Sequence, residues 1–457
     1  MPACSSSPSS IPGPWRSSSI TASDPPDADA FKRLARYARI FAATLVVWLI
    51  GFGGFTLVVD PYEIAPWISI EGVNARRTRA HEDGYRVHVG HRLLTSEAGT
   101  ITLGSSRVMD GFPRDLPDWP GGYENLAMAG TSAFELARAS ALAARNEAIN
   151  CVIIGADLRE FSTDTNTQAT YWITPMAGGS QIAALAKMAL SPSAFARALQ
   201  TVDDNRTGGS DERWEHAYDE AGLPARFEEE LAKRYRYYAS YEYDPERVAF
   251  LFRGIDALLA SGKQVVVFIH PVHAWYEEAR QRAGAGPAEI ALRRDIAAQI
   301  AARGVTAEAN QACFDGPALQ GWDFGGFSEP AQSAPPAGDG SAPNPWYYVP
   351  SHYRPALGQA ILDRLAGHSD TGQVGEGFGR RLDGDTLEAD LAALQAGRER
   401  WLQSGTPWQQ HAAQAFDAFD IDPPAPEAGP RIFLSHGDRV DLERDVRRIE
   451  EQYRSDR

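Results

Sequence analysis

The alternation of apolar and polar positions divides the chain into a polar leader, one unbroken apolar block and a long mixed region. The first thirty residues are mostly Ser, Pro and Ala (SSSPSSIPGPW, TASDPPDADA). Such a stretch buries too little apolar surface to offset chain entropy, so residues 1–37 are expected to form a disordered tail. Ile40 to Val59 then runs twenty residues without a charge. At about 1.5 Å per residue this spans roughly 30 Å, the thickness of a bilayer core. Lys32, Arg33, Arg36 and Arg39 precede the block, and no Lys or Arg occurs from Asp60 to Ala75. A basic flank stays on the cytoplasmic side, which places the bulk of the chain outside. A buried helix of a soluble core is seldom apolar all round. A signal peptide usually has a shorter apolar core, and no small-x-small cleavage site follows Val59. Residues 38–59 are therefore expected to be an uncleaved single-pass anchor in the inner membrane, with a cytoplasmic N-terminus and a periplasmic bulk.

Beyond the anchor, short apolar runs alternate with helical patterns. Thr100–Leu103, Cys151–Ile154 and Gln264–Ile269 read as strands, and Val305–Glu308 reads as a weaker one. Asp244-Pro-Glu-Arg opens a helix with an N-cap and a first-turn Pro. Val248, Leu251, Phe252, Ile255, Leu258 and Leu259 then recur at helical spacing, and Gly262 closes the element. Ala133–Ala148 and Pro287–Ala302 behave alike. Strands alternating with helices predict an α/β domain with a parallel sheet over residues 60–367. Residues 160–243, rich in Trp, Tyr and charge, are expected to be a mostly helical insertion covering one sheet edge. Residues 326–344 read as a mobile Pro/Gly/Ser/Ala loop. Residues 368–457 form an acidic helical extension, with helices expected at Asp385–Leu402 and Asp438–Tyr453. No internal repeat is present.

Composition narrows the function classes. The 457 residues contain 44 basic and 60 acidic side chains, a net charge of −16. Nucleic-acid binders usually carry a basic surplus, so no nucleic-acid partner is expected. Five basic and three acidic residues precede Asp60, so the remainder carries −18. A domain that acidic suits neutral or weakly charged partners better than a strongly anionic polymer. The 3 Cys exclude a disulfide-dense scaffold. Cys151 and Cys313 fall on the exported side and could pair. Because Cys151 opens a predicted core strand, two buried thiols is the preferred reading.

Three segments carry residues suited to nucleophilic chemistry. The first strand ends in Leu103-Gly-Ser-Ser-Arg107, and a serine on a strand-to-helix turn exposes its hydroxyl beside backbone N–H groups that can hold an oxyanion. Such a serine is more often a helix cap. Tyr123–Ser132 carries Asn125 and, at the head of the next helix, Gly130. Tyr347–Pro355 carries His352, placed where a general base for a serine could sit.

Together these segments resemble the SGNH (GDSL-like) hydrolase family. Gly104-Ser105-Ser106 is similar to its first block, with Ser106 in the nucleophile's place. Asn125-x-Ala-x-x-Gly130 is similar to the second, with Gly130 as an oxyanion donor beside the N–H of Ser106. Ile154-Gly-Ala-Asp157 stands where the third block belongs, and Val349-Pro-Ser-His352 where Asp-x-x-His belongs. The wider frame resembles membrane-anchored periplasmic proteins of the polysaccharide O-acetyltransferase type, through Asp60-Pro-Tyr62, the Gly-Ser-Ser-Arg turn, Pro271-Val-His273 and Ser351-His-Tyr-Arg354. The resemblance covers residues 55–367. It implies an SGNH-like three-layer domain and an O-acyltransferase or esterase acting on a cell-envelope or secreted polysaccharide, with Ser106 and His352 as catalytic residues. It also implies a membrane-bound O-acyltransferase as a source of acyl groups.

Two positions depart from the family. Val349 replaces the acid three residues before the histidine, and Asp157 replaces an asparagine where a carboxylate would repel an oxyanion. Loss of the acid lowers turnover by about 10⁴ in serine proteases. A Ser-His dyad, an acid recruited from elsewhere (Asp323) and a non-catalytic binding or assembly protein all remain open. Ser105, Arg107, Asn125, Asp157 and His273 are further candidates for the pocket. Arg107 would hold a substrate anion or pair with a carboxylate. His270 and His273 lack the spacing of a zinc site, so no metal is assigned, and no cofactor motif is found. His88 and His91 read as surface or packing residues. Trp172, Trp214, Trp275 and Trp346 are mainly core residues that could stack on sugars.

Overall fold

Val-rich runs bounded by polar or glycine turns form the centre of the protein. The computed structural model describes residues 28–64, 68–76, 85–114, 116–165, 167, 169–178, 181–208, 220–304, 313–338, 342–367, 374–375, 377–382 and 384–421. Its elements begin with helix α1 (Ala28–Val59), α2 (Tyr85–Thr95), strand β1 (Thr100–Leu103), α3 (Ser106–Gly111), β2 (Tyr123–Asn125), α4 (Ala133–Ala143) and β3 (Cys151–Ala156). The chain continues through α5 (Gln181–Ala189), α6 (Pro192–Thr207), α7 (Leu223–Ala239), α8 (Pro245–Ala260), β4 (Gln264–Ile269), α9 (Ala274–Arg282) and α10 (Gly286–Arg303). It ends with β5 (Leu319–Asp323), β6 (Tyr347–Val349), β7 (His352–Tyr353), α11 (Pro355–Leu365), β8 (Arg380–Arg381), α12 (Leu387–Leu402) and α13 (Pro407–Ile421).

The main sheet runs β2-β1-β3-β4-β5-β8. Its first five strands are parallel, and β8 joins β5 antiparallel. Every residue of β1, β3 and β4 is buried, as a parallel sheet covered on both faces requires. The period of two separates two cores. Ile101, Leu103, Val152, Ile154, Val265 and Val267 pack with α4, α8 and α10. Ile153, Val266 and Phe268 pack with α3, α9 and α11. A Cβ on Gly254 of α8 would lie 2.6 Å from the Cα of Ala137 in α4. Glycine there lets the two helices approach by backbone.

The α/β class and parallel sheet agree with the sequence pattern. Among the described residues, the stretch Phe31–Val59 of α1 is long and apolar enough to cross a membrane, and α1 begins at Ala28, ahead of the expected boundary at 38. Residues 1–27, the expected strand Val305–Glu308 and the expected helix Asp438–Tyr453 lie outside the described residues. The strand that pairs with β4 on the side away from β3 is Leu319–Asp323, whose Gln, Gly and Asp break the apolar run that marks the other central strands. Among the described residues, the helices of the insertion pack mainly away from the edge strands β2 and β8. Helices α5 and α6 pack on α1, and α7 packs on α9 and β6. The 326–344 stretch is pinned where it is described. Pro330 and Ala331 are buried, and Asn344 bonds both Ser333 Oγ and Ala334 O.

Cys151 and Cys313 form a disulfide, with Cα atoms 6.2 Å apart, and are not the pair of free thiols expected. Cys151 does open a core strand. What brings Cys313 to it is Gln264 at the head of β4, whose side-chain oxygen accepts the N–H groups of Cys313 and Phe314, both at 2.9 Å.

Candidate functional site

The chain leaves β1 for β2 on one side of the sheet and later returns to β3 on the other. In open α/β sheets a crevice forms at that switch point, outside the carboxyl ends of the strands. Ser105 and Ser106 follow β1 after Gly104, Asp157 follows β3, and His270 follows β4. A Cβ on Gly104 would run into Val108, so glycine is needed for the chain to turn directly into α3. Ser106 becomes the first residue of that helix. Its Oγ lies 2.8 Å from Nε2 of His352. Both residues are half-buried, so substrate can reach them.

Behind His352 lies a relay that the sequence did not suggest. Nδ1 of His352 is 2.8 Å from Ser351 Oγ. Ser351 Oγ in turn donates to Glu230 Oε2 on α7, at 2.9 Å. Arg234, one turn further along α7, donates to Glu230 Oε2 at 2.6 Å and to Ser351 Oγ at 3.3 Å. A hydroxyl has one proton and two acceptor sites. With its proton committed to the carboxylate, Ser351 must accept from Nδ1–H of His352. Nε2 is then left unprotonated and faces the Ser106 hydroxyl, the arrangement a general base needs.

The electrostatics favour the same state. Burial, and then the cations Arg107 and Arg234, push His352 down to about 3, partly offset by Glu230 and Asp157. The imidazole is neutral at ordinary pH. Burial works against the charge of Glu230, but Arg234, Lys233 and the bond from Ser351 outweigh it and hold the carboxyl below its usual value. The relay thus joins a neutral base to an ionised acid.

Arg107 is fully engaged in holding this geometry. Its Nε donates to Ser351 O at 2.7 Å, Nη2 to the Tyr276 hydroxyl at 2.7 Å, and Nη1 pairs with Asp157 at 2.5 Å. Burial opposes the Asp157 charge, yet Arg107 holds that carboxyl at about 2. Asp157 also caps the short turn Leu158–Phe161. Its negative charge is matched within the protein and its carboxylate is not free to face an oxyanion. Arg107, Arg234 and Arg280 lie 4.9, 5.4 and 5.1 Å from the Tyr276 ring centre, an electron-rich face that suits clustered guanidinium groups.

The loop holding Gly130 runs beside the Ser106 turn, because Met128 N–H bonds Gly104 O at 2.8 Å. Gly130 has φ 61°, a left-handed conformation that favours glycine. The preceding carbonyl, Ala129 O, accepts from the Tyr85 hydroxyl at 3.0 Å and from Arg86 Nη2 at 2.9 Å. In a trans peptide the C=O and N–H point oppositely. These two bonds therefore fix the Gly130 N–H to point away from α2.

Other candidates take structural roles. Asn125 donates to Val108 O and Phe112 O, tying down the end of α3. Asp323 pairs with Arg293 at 2.7 Å and accepts from Gly325 N–H, so it is not the recruited acid. His273 is fully buried, caps α9 and bonds Ser333 O, so it does not line the site. Its neighbour in the same motif, His270, does. A Cβ on Gly155 would come within 2.6 Å of His270 Nε2, and Nδ1 meets the Tyr353 hydroxyl at 3.1 Å. Strand register could have found it, since Ala156 pairs with Ile269 and His270 therefore stands beside Asp157. Ser105 Oγ and His270 Nε2 are buried without a hydrogen-bond partner among the described residues. His88 and His91 are buried packing residues. Trp275 is buried, Trp346 is partly buried, Trp172 is exposed, and Trp214 lies outside the described residues. Glu230 was missed because an i, i+4 Glu–Arg pair on an amphipathic helix looks like an ordinary surface pair. No protein-family model matches the chain, and no curated protein matches it.

Proposed function

We propose that this protein is a membrane-anchored SGNH-type serine acyl-transfer enzyme, an O-acyltransferase or esterase acting on a cell-envelope or secreted polysaccharide. The observation that carries the proposal is the chain of contacts Ser106–His352–Ser351–Glu230. It supplies an acid for the histidine by a route that does not need one at Val349. The Ser106 proton passes to His352 Nε2 as Oγ attacks the acyl carbonyl, and the backbone N–H groups of Ser106 and Gly130 hold the oxyanion. The imidazolium that forms faces the Glu230 charge through the Ser351 hydroxyl. His352 then returns the proton to the leaving alcohol. In the second half-reaction a sugar hydroxyl, or water in an esterase, gives its proton to His352 and takes the acyl group from Ser106. In this reading the protein sits in the inner membrane with its bulk on the periplasmic side, where a membrane-bound O-acyltransferase would supply the acyl group; the long apolar helix α1 supports the span.

The test is labelling of the full-length protein with a serine-reactive fluorophosphonate, together with acetate release from a chromogenic ester. Labelling and hydrolysis should vanish in Ser106→Ala and persist in Ser105→Ala. Absence of both in the unsubstituted protein refutes the enzyme and leaves a binding or assembly role.

A further inference from the structure

The uncharged block of α1 and the helices packed on it do not fit one simple span. A bilayer core of about 30 Å takes about twenty helical residues, the length of Ile40–Val59. Yet the protein covers α1 well before Val59. Gly53 and Thr56 are buried, and a Cβ on Gly53 would sit 3.3 Å from Leu190 Cδ2. Phe195 stacks on Phe52 at 4.3 Å between ring centres and lies 5.4 Å from Phe55. Phe52 precedes Val59 by seven residues, which is about 10 Å inside the end of the block. Sliding the bilayer toward the N-terminus to clear these contacts would draw Arg36 and Arg39 into hydrocarbon, where a charged side chain is unfavourable.

The covering residues belong to α5 and α6, which meet at a 70° bend. From Gln181 to Gln200 the only charged residues are Lys187 and Arg197. Ile182, Leu190 and Leu199 are 79%, 44% and 51% exposed. At its far end α6 turns polar and is tied back to the segment after the anchor, where Arg76 N–H bonds Asn205 at 2.9 Å. Apolar helices with a polar exit, set about 10 Å into the core, have the depth and pattern of a helix lying in the membrane interface.

We infer that the α5–α6 elbow is immersed in the leaflet next to Val59 and that the lipid hydrocarbon covers its apolar face. The protein is then held by a span and a wedge together. This rests on α1 being a span and is independent of the chemistry at Ser106.

The test places nitroxide labels on full-length protein in phospholipid liposomes, with Cys4→Ser to remove the remaining free thiol. Labels at Leu190→Cys and Leu199→Cys report on the elbow, Val47→Cys on the anchor and Gln403→Cys on water. Collision with a water-soluble nickel chelate at 190 and 199 is expected to be at least about tenfold lower than at 403, with high oxygen accessibility. A water-like response at 190 and 199 with a lipid-like response at 47 overturns the wedge alone. A water-like response at 47 overturns the span and the wedge with it. Shielding of 190 and 199 from both reagents shows protein on that face and also overturns the proposal.

Discussion

Ser351 decides which nitrogen of His352 carries the proton. The hydroxyl donates to Glu230 and accepts from Nδ1, so removing either partner removes the preference. Ser351→Ala and Glu230→Gln are each expected to lower kcat by about 10²–10⁴, the range of a general-base contribution, with little change in KM. Steady-state kinetics on the chromogenic ester measures this. A loss confined to KM would show that the relay binds substrate and does not tune the base. The pH profile gives a second check. The proposed mechanism needs the unprotonated imidazole, and His352 is pushed down to about 3. The acid limb of kcat/KM should therefore lie below about pH 5, well under the value near 6.5 of an ordinary histidine. An unshifted limb near 6.5 would refute the half-buried, cation-flanked setting of the ring. Ser106 and His352 could be read from short motifs. Ser351 and Glu230 could not, because a hydroxyl next to a histidine and an acid 121 positions away carry no local signal.

Helix α2 shapes the site without contributing a reacting atom. Tyr85 and Arg86 hold the carbonyl of Ala129, and the same peptide carries the Gly130 N–H. Arg86 is itself anchored by Glu135 at 2.8 Å, inside the capping box that starts α4. Tyr85→Phe removes one of the two bonds to that carbonyl. It should lower kcat by about tenfold, less than the 10²–10³ that loss of a whole oxyanion donor costs. The thermal midpoint should move only by the equivalent of about 1 kcal/mol. Parallel measurement of turnover and unfolding separates positioning from general destabilisation. The helix starting at Ala133 was legible from its periodicity. The bonds from α2 to the loop before it were not, because they depend on how two elements meet in space.

Across the whole molecule, the disulfide and the Ser-His pair sit at opposite ends of the sheet. Cys151 opens β3, whereas Asp157 of the site follows that strand's other end. The bond closes a sequence separation of 162 residues. Constraint of so long a loop stabilises by about 2–5 kcal/mol. Cys313→Ser, or reductant, is expected to lower the thermal midpoint by about 5–10 °C while the geometry around Ser106 is kept. Scanning fluorimetry with and without reductant tests this, and an unchanged midpoint would count against the bond.

Local sequence determined the apolar block, the α/β class and the three central strands through hydrophobic periodicity, and the serine turn through a short motif, because each leaves its mark on residues close in sequence. Tertiary structure decided the rest. It set the partner of Cys151, the burial of His273 against the placement of His270, and the neutralisation of Asp157 by Arg107. It also decided the acid behind His352 and the seating of α5–α6 on α1. Those depend on side chains brought together from distant positions by strand order and helix packing. Charge and hydrogen-bond pairing act across space, whereas the periodicity of a sequence records only which face of each element is covered.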